Sequence, residues 1–244
     1  MYSEYILIAC LVAILSCVQS IFGVGILVFG TPTLLLLGYG FADTLCYLLP
    51  SSIIVSTIQV VRPGIKKPSI PKELYFVCLP AIGASLWFTV ADRSNRYVTV
   101  LVGLILILSA LIRMNPVLNT GLTKLTRNHI GIFHLAMGCV HGFTNLGGAL
   151  LAMFAANLHD QKEDVRYTVA HYYLLFGLLQ CLLLVWVGSG ELLIIGAMNA
   201  PFAALIYMII GNPMFNSIKE AEYKNGMSVF IFAYGAMLLA KTFI

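Results

Sequence analysis

Apolar residues along this chain fall into blocks of helical length, separated by short polar connectors, and two of the blocks are interrupted by glycine. The blocks predict helices over about 5 to 22, 26 to 38, 42 to 61, 73 to 91 and 96 to 112, then over 129 to 144, 149 to 158, 166 to 188, 191 to 210 and 226 to 243. The first two blocks form one nearly uncharged stretch, broken at Phe22-Gly23-Val24-Gly25; a matching stretch from about 130 to 158 is broken at Thr144-Asn145-Leu146-Gly147-Gly148. A straight helix over residues 5 to 38 would be about 51 Å long, against a hydrocarbon core of roughly 30 Å, so each stretch must break or fold back. The runs after the breaks give only about 20 and 15 Å of helix, which makes them half-helices and not crossings.

Composition turns this pattern into a class. Hydrophobic residues make up 60% of the 244 and charged residues 10%, with a mean hydropathy of +0.93. That excludes a soluble domain and predicts an all-α, polytopic membrane protein. The net charge of +4 sits in the connectors, such as Arg62-Pro63-Gly64-Ile65-Lys66-Lys67-Pro68, so it reads as topology and not as affinity for nucleic acid. If each interrupted stretch crossed the bilayer once, the basic residues would divide eight against six. If each is a hairpin, one side collects Arg62, Lys66, Lys67, Lys72, Arg113, Lys124, Arg127, Lys162, Arg166, Lys219 and Lys224, and the other keeps Arg93, Arg96 and Lys241, eleven against three.

The hairpin reading therefore predicts two homologous halves, residues 1–113 and 128–244, joined by a cytoplasmic linker at 114–127 in a multi-pass protein of the cell (inner) membrane. Each half has four membrane-spanning helices and a short half-helix after its glycine break. An odd number of segments per half inverts the second half, so the hairpins enter from opposite faces and their glycine tips are expected to approach one another. An offset of 122 pairs Gly25 with Gly147 and Gln19 with His141; later the register slips, since Glu73 and Glu191 differ by 118.

Candidate chemistry follows the breaks. Glycine lets backbone N–H groups approach a ligand, and a half-helix starting there presents a partial positive end to an anion. Gly23, Gly25, Gly147 and Gly148 are the backbone candidates, with Gln19, His141 and Asn145 as the polar side chains beside them. Asn145 can donate to an anion while its carbonyl satisfies a freed N–H. His171, an ionisable residue deep in an apolar run, and Ser51, beside Pro50, which is expected to kink or break its helix, complete the substrate-binding set. Gln59 and Gln180 are further polar residues inside apolar runs, ranked below the breaks. Asp164 reads as an N-cap for the helix after it. The six cysteines contain no C-x-x-C pair, and no metal or cofactor is implied. No nucleophile elbow, paired intramembrane carboxylates or Walker motif points to an enzyme.

The chain resembles the TauE/SafE family of sulfite exporters in these same residues: Phe22-Gly23-Val24-Gly25-Ile26 followed by Thr31-Pro32-Thr33-Leu34, and Gly138-Cys139-Val140-His141-Gly142-Phe143-Thr144-Asn145-Leu146-Gly147-Gly148. It departs from the family pattern where Phe154 stands opposite Pro32 and where the glycine triplets are reduced. The resemblance implies a secondary permease for a small anion, a sulfite or related sulfur oxyanion or organosulfonate, coupled to a proton or other ion gradient. An uptake system for another solute such as thiosulfate, or a non-transporting membrane scaffold or subunit, are the alternative expectations.

Overall fold

The computed structural model describes residues 2–61, 67–91 and 128–219, with scattered positions between 98 and 126 and at 222 and 229. About half of the helix expected at 96 to 112 is described, and those positions are helical; the linker and the helix expected at 226 to 243 fall largely outside the described residues. Every element among the described residues is helical. α1 (Tyr2–Phe22) is followed across Gly23-Val24-Gly25 by α2 (Ile26–Leu36), then α3 (Phe41–Val61), and a π turn (Leu74–Cys78) leads into α4 (Leu79–Ala91). After the linker come α5 (Ile130–Thr144), α6 (Gly147–Leu158), α7 (Lys162–Trp186), α8 (Gly190–Ala197), α9 (Ala200–Ile206), a second π turn (Tyr207–Gly211) and α10 (Asn212–Ser217).

Four stretches are long and apolar enough to cross a membrane: Tyr5–Phe22, Phe41–Val61, Lys162–Trp186 and Gly190–Ser217. Their outward faces carry large apolar side chains, among them Leu182 and Ile194, each 70% exposed. Water disfavours such surfaces and lipid does not, so the chain is a helical membrane protein.

α7 is the axis of the fold, packed most extensively against α3 and also against α6, α4 and α8. Both glycine breaks lie along it. Gly23 sits against Val169 and the Arg166 backbone, whereas Asn145 receives a hydrogen bond from Gln180. Val169 and Gln180 are eleven residues apart, about 16 Å along a helix. From its break α2 climbs toward the Trp186 end of α7, because Val28 lies against Gly148 and Thr31 meets Asn145. α6 runs the other way, with Gly148 at Tyr173 and His159, just past its end, at Thr168. The half-helices thus pass each other antiparallel. The two elbows lie along the same stretch of α7, Gly23 at Val169 and Gly148 at Tyr173, with Val28, three residues after Gly25, against Gly148.

Two expectations are corrected. Pro50 does not end its helix: α3 is continuous through it. Proline lacks the N–H that would bond the carbonyl of Cys46, four residues earlier, and α8 packs onto that carbonyl, a Cβ on Gly196 falling 2.1 Å from the Cys46 oxygen. Nor is Asp164 a cap: α7 starts at Lys162 with Gln161 as the N-cap residue, placing Glu163 and Asp164 in the first turn, where carboxylates favour the helix dipole. The Lys162 end is pinned to the last helix. Lys162 Nζ donates to the carbonyls of Phe215, at 2.9 Å, and Ile218. The Arg166 guanidinium lies 3.4 Å from the centre of the Phe215 ring and donates to the Ser20 carbonyl at the foot of α1.

Candidate functional site

The two breaks are built alike. A Cβ on Gly25 would come within 2.4 Å of the Gln19 nitrogen and 2.8 Å of the Leu15 oxygen; one on Gly147 would come within 2.5 Å of His141 Cβ and 2.9 Å of the Met137 oxygen. In both cases the glycine packs on the residues six and ten positions earlier, so only glycine lets the half-helix fold back tightly on its partner. The same offset of 122 that pairs the glycines pairs Gln19 with His141 and Leu15 with Met137. One residue of register change then pairs Ser52 with Tyr173 and Gln59 with Gln180, at an offset of 121.

At the first break most of these groups satisfy one another, although Gln59 Oε1, like its counterpart on Gln180, has no partner. Gln19, fully buried, donates through Nε2 to the Ser52 carbonyl at 3.2 Å, Ser52 Oγ at 3.1 Å and Ser56 Oγ at 3.3 Å. Its Oε1 accepts the Ile26 N–H at 3.1 Å, one of the donors that a helix start leaves without an intrahelical partner. Its carbonyl accepts from Gly23 N–H at 2.8 Å and from Gln59 Nε2 at 3.3 Å. The first elbow is therefore locked to α3 by protein groups alone. Gly23, with φ of +74°, provides the left-handed turn beside Val169.

At the second break the equivalent groups are left open. Asn145 adopts a left-handed conformation, φ 61°, as the C-cap of α5, and its N–H donates to the His141 carbonyl at 2.7 Å. Its Nδ2 donates to Thr31 Oγ1 at 2.8 Å, and its Oδ1 accepts from Gln180 Nε2 at 3.2 Å. Around this bridge, His141 Nδ1 and Nε2, Tyr173 Oη and Gln180 Oε1 have no hydrogen-bond partner. Yet His141 and Gln180 are fully buried and Tyr173 is 1% exposed. The His141 ring lies 6.0 Å from that of Tyr173 and 4.5 Å from that of Phe176. Gln180 stands beside it without closing a hydrogen bond of acceptable geometry. The Tyr173 hydroxyl packs against Gly148 at the start of α6, where a Cβ would fall 1.6 Å from it.

Buried polar atoms without partners cost about 1–3 kcal/mol each, and native folds keep few of them. Their concentration at a helix N-terminus makes the second break the candidate site. It offers a hydroxyl, an imidazole able to donate or accept, an acceptor carbonyl and the positive end of a twelve-residue helix.

Of the residues singled out in the sequence, His141, Asn145, Gly147 and Gly148 come together here. Gln19, Gly23 and Gly25 form the first elbow. Ser51 is buried on α3 with an unpartnered Oγ, one residue from the Ser52 that binds Gln19. His171 is elsewhere: its Nε2 pairs with Tyr75 Oη at 3.1 Å and its ring lies 6.0 Å from Tyr167. Thr31 and Tyr173 are not among the residues selected from sequence, and Gln180 is ranked there below the breaks. No protein-family model, curated protein or solved structure matches the chain.

Proposed function

We propose that the protein is a secondary permease that carries a small anion by alternating access, holding it at the second glycine break between the start of α6, His141 and Tyr173. The observation that supports this most directly is the set of buried, partnerless polar atoms gathered on that helix N-terminus. The start of α6 carries the equivalent of roughly half a positive charge, and the Tyr173 hydroxyl and one imidazole N–H are neutral donors aimed at the same place. Neutral donors bind an anion without trapping it, which a permeant ion requires.

Antiparallel half-helices passing one another along α7, with elbows of like construction, support an inverted repeat of two halves whose exchange of packing opens the site to each side in turn. On the hairpin topology the eleven-to-three division of basic residues supports a cytoplasmic position for the Lys162 end of α7 and a home in the cell's inner membrane. The substrate class, sulfite or a related sulfur oxyanion or organosulfonate, rests on the resemblance to the TauE/SafE exporters and on the fit of several sulfur-bound oxygens to several dispersed donors.

Reconstitution into liposomes tests the reading. Sulfite, thiosulfate or methanesulfonate should cross faster than in protein-free vesicles, and Tyr173→Phe should slow that flux by about tenfold, the worth of one hydrogen bond to a charged group. If none of the three moves while the protein remains folded, the permease reading is dropped in favour of a non-transporting membrane scaffold.

A further inference from the structure

We infer that His141 is the proton carrier of this site: it takes up one proton together with the anion, so that a monovalent anion crosses the membrane as an electroneutral pair and a divalent one with half of its charge offset. The inference rests on the anion site proposed above and adds its coupling ion.

Three helices lie around the His141 ring. α7 presents Tyr173, Phe176 and Gln180 to it, and α6 presents the Gly147 backbone. α4 presents Ile82 and Ser85 at the neighbouring Gly142. Tyr173 is the titratable group that faces His141, and no carboxylate, lysine or arginine acts on it from these elements. A buried anion in such a place has no counter-charge, and neither has a buried imidazolium. Each alone bears the full cost of leaving water, whereas together they neutralise one another. Binding of the anion and of the proton is therefore cooperative, and by linkage the cooperativity is reciprocal.

Hydrogen-bond bookkeeping points the same way. A structural histidine is fixed through its nitrogens, as His134 is by the Ile130 carbonyl at Nδ1 and the Tyr172 hydroxyl at Nε2, each at 2.8 Å. His141 uses neither nitrogen. An imidazolium needs two acceptors. Gln180 Oε1, buried, partnerless and adjacent, is one, and the bound anion is the other. When the site faces the proton-rich side, the free ring nitrogen takes H⁺ from water as the anion enters; on the other side the same N–H bond releases it and the neutral ring remains. At the first break the equivalent position is Gln19, which does not titrate and is fully engaged, so the carrier occurs once per chain.

The test uses methanesulfonate and thiosulfate, whose own charges stay constant over roughly pH 5.5 to 8, the range in which histidine titrates. Titration calorimetry of the purified full chain, in buffers of different ionisation enthalpy, should give one proton taken up per anion bound. The Kd should weaken by about tenfold per pH unit above the pKa of the free site. His141→Gln should still bind the probes, with no proton uptake and a flat pH profile. Gln180→Leu, which removes the second acceptor, should reduce proton uptake even if the His141 variant does not fold. Probe binding by the wild type without proton uptake overturns the inference and leaves the permease reading standing; so does a His141→Gln protein that takes up protons as the wild type does. If the folded wild type binds neither probe, the permease reading fails and this inference with it.

Discussion

Asn145 bridges α2 and α7 from the second elbow: its side-chain amide donates to Thr31 Oγ1 on α2 across 2.8 Å, and its carbonyl oxygen accepts from Gln180 on α7. Its backbone stands in the left-handed region at φ 61°, which asparagine tolerates better than other residues with a side chain. Asn145→Ala should cost about 2–4 kcal/mol, from the groups left unpaired and from the backbone strain. Asn145→Gly relieves the strain but not the lost bonds, so it should be the milder variant by about 1 kcal/mol. Denaturation in detergent measures both, and equal stabilities would remove the conformational part of the account.

The Tyr173 hydroxyl lies where a Cβ on Gly148 would have to stand, 1.6 Å away. Gly148→Ala must displace a ring that is 1% exposed, at a cost of about 1–3 kcal/mol for overpacking. Adding Tyr173→Phe removes the colliding oxygen and should restore part of that stability without restoring flux, because the hydroxyl is also an anion donor. Wild-type flux in Gly148→Ala vesicles would take the contact out of the mechanism.

The sequence made the elbows legible because their signals are local. Gly25 and Gly147 each face a helix only six residues back, so the break and its tight fold-back are written in one short window. What was not legible depends on distant packing. How the two half-helices pack against each other is decided by contacts such as Val28 with Gly148 and Asn145 with Thr31, which no window contains. The start of α7 moved a turn earlier than Asp164, and Lys162 at that start gives its ammonium to the Phe215 and Ile218 carbonyls more than fifty residues away. Tyr173 carried only a weak signal, the repeat offset that sets it opposite Ser52. Gln180 carried another, an amide deep in an apolar run and 121 residues from Gln59, whose Nε2 binds the Gln19 carbonyl at the other elbow.

Trp87 on α4 and Trp186 at the end of α7 lie side by side, ring centres 5.1 Å apart and 44% and 75% exposed. They are the only two tryptophans in the chain, and indole favours the membrane–water interface. In proteoliposomes, lipids brominated near the headgroup should quench tryptophan fluorescence more than lipids brominated near the chain ends, and Trp87→Phe should keep that order. The opposite order would place this end of α7 in the middle of the bilayer and undo the assignment of its span.

His159, in the connector between α6 and α7, donates to or accepts from Thr168 Oγ1 at 2.8 Å. Burial lowers its pKa below the usual 6.5, and Asp164 and Asp160 offset part of that effect. The folded state then binds this proton less readily than the unfolded chain does. Between the lowered pKa and about 6.5 the unfolded state holds more protons, so the contribution of this residue to stability rises with pH through that window and is lost on acidification. Above the window both states are neutral and the contribution is constant. The thermal midpoint of the wild type relative to His159→Gln should therefore fall as the pH is taken from about 7 down toward 5. A difference between the two proteins that stays flat over that range would mean the ring titrates alike folded and unfolded, and that its bond to Thr168 does not depend on its charge.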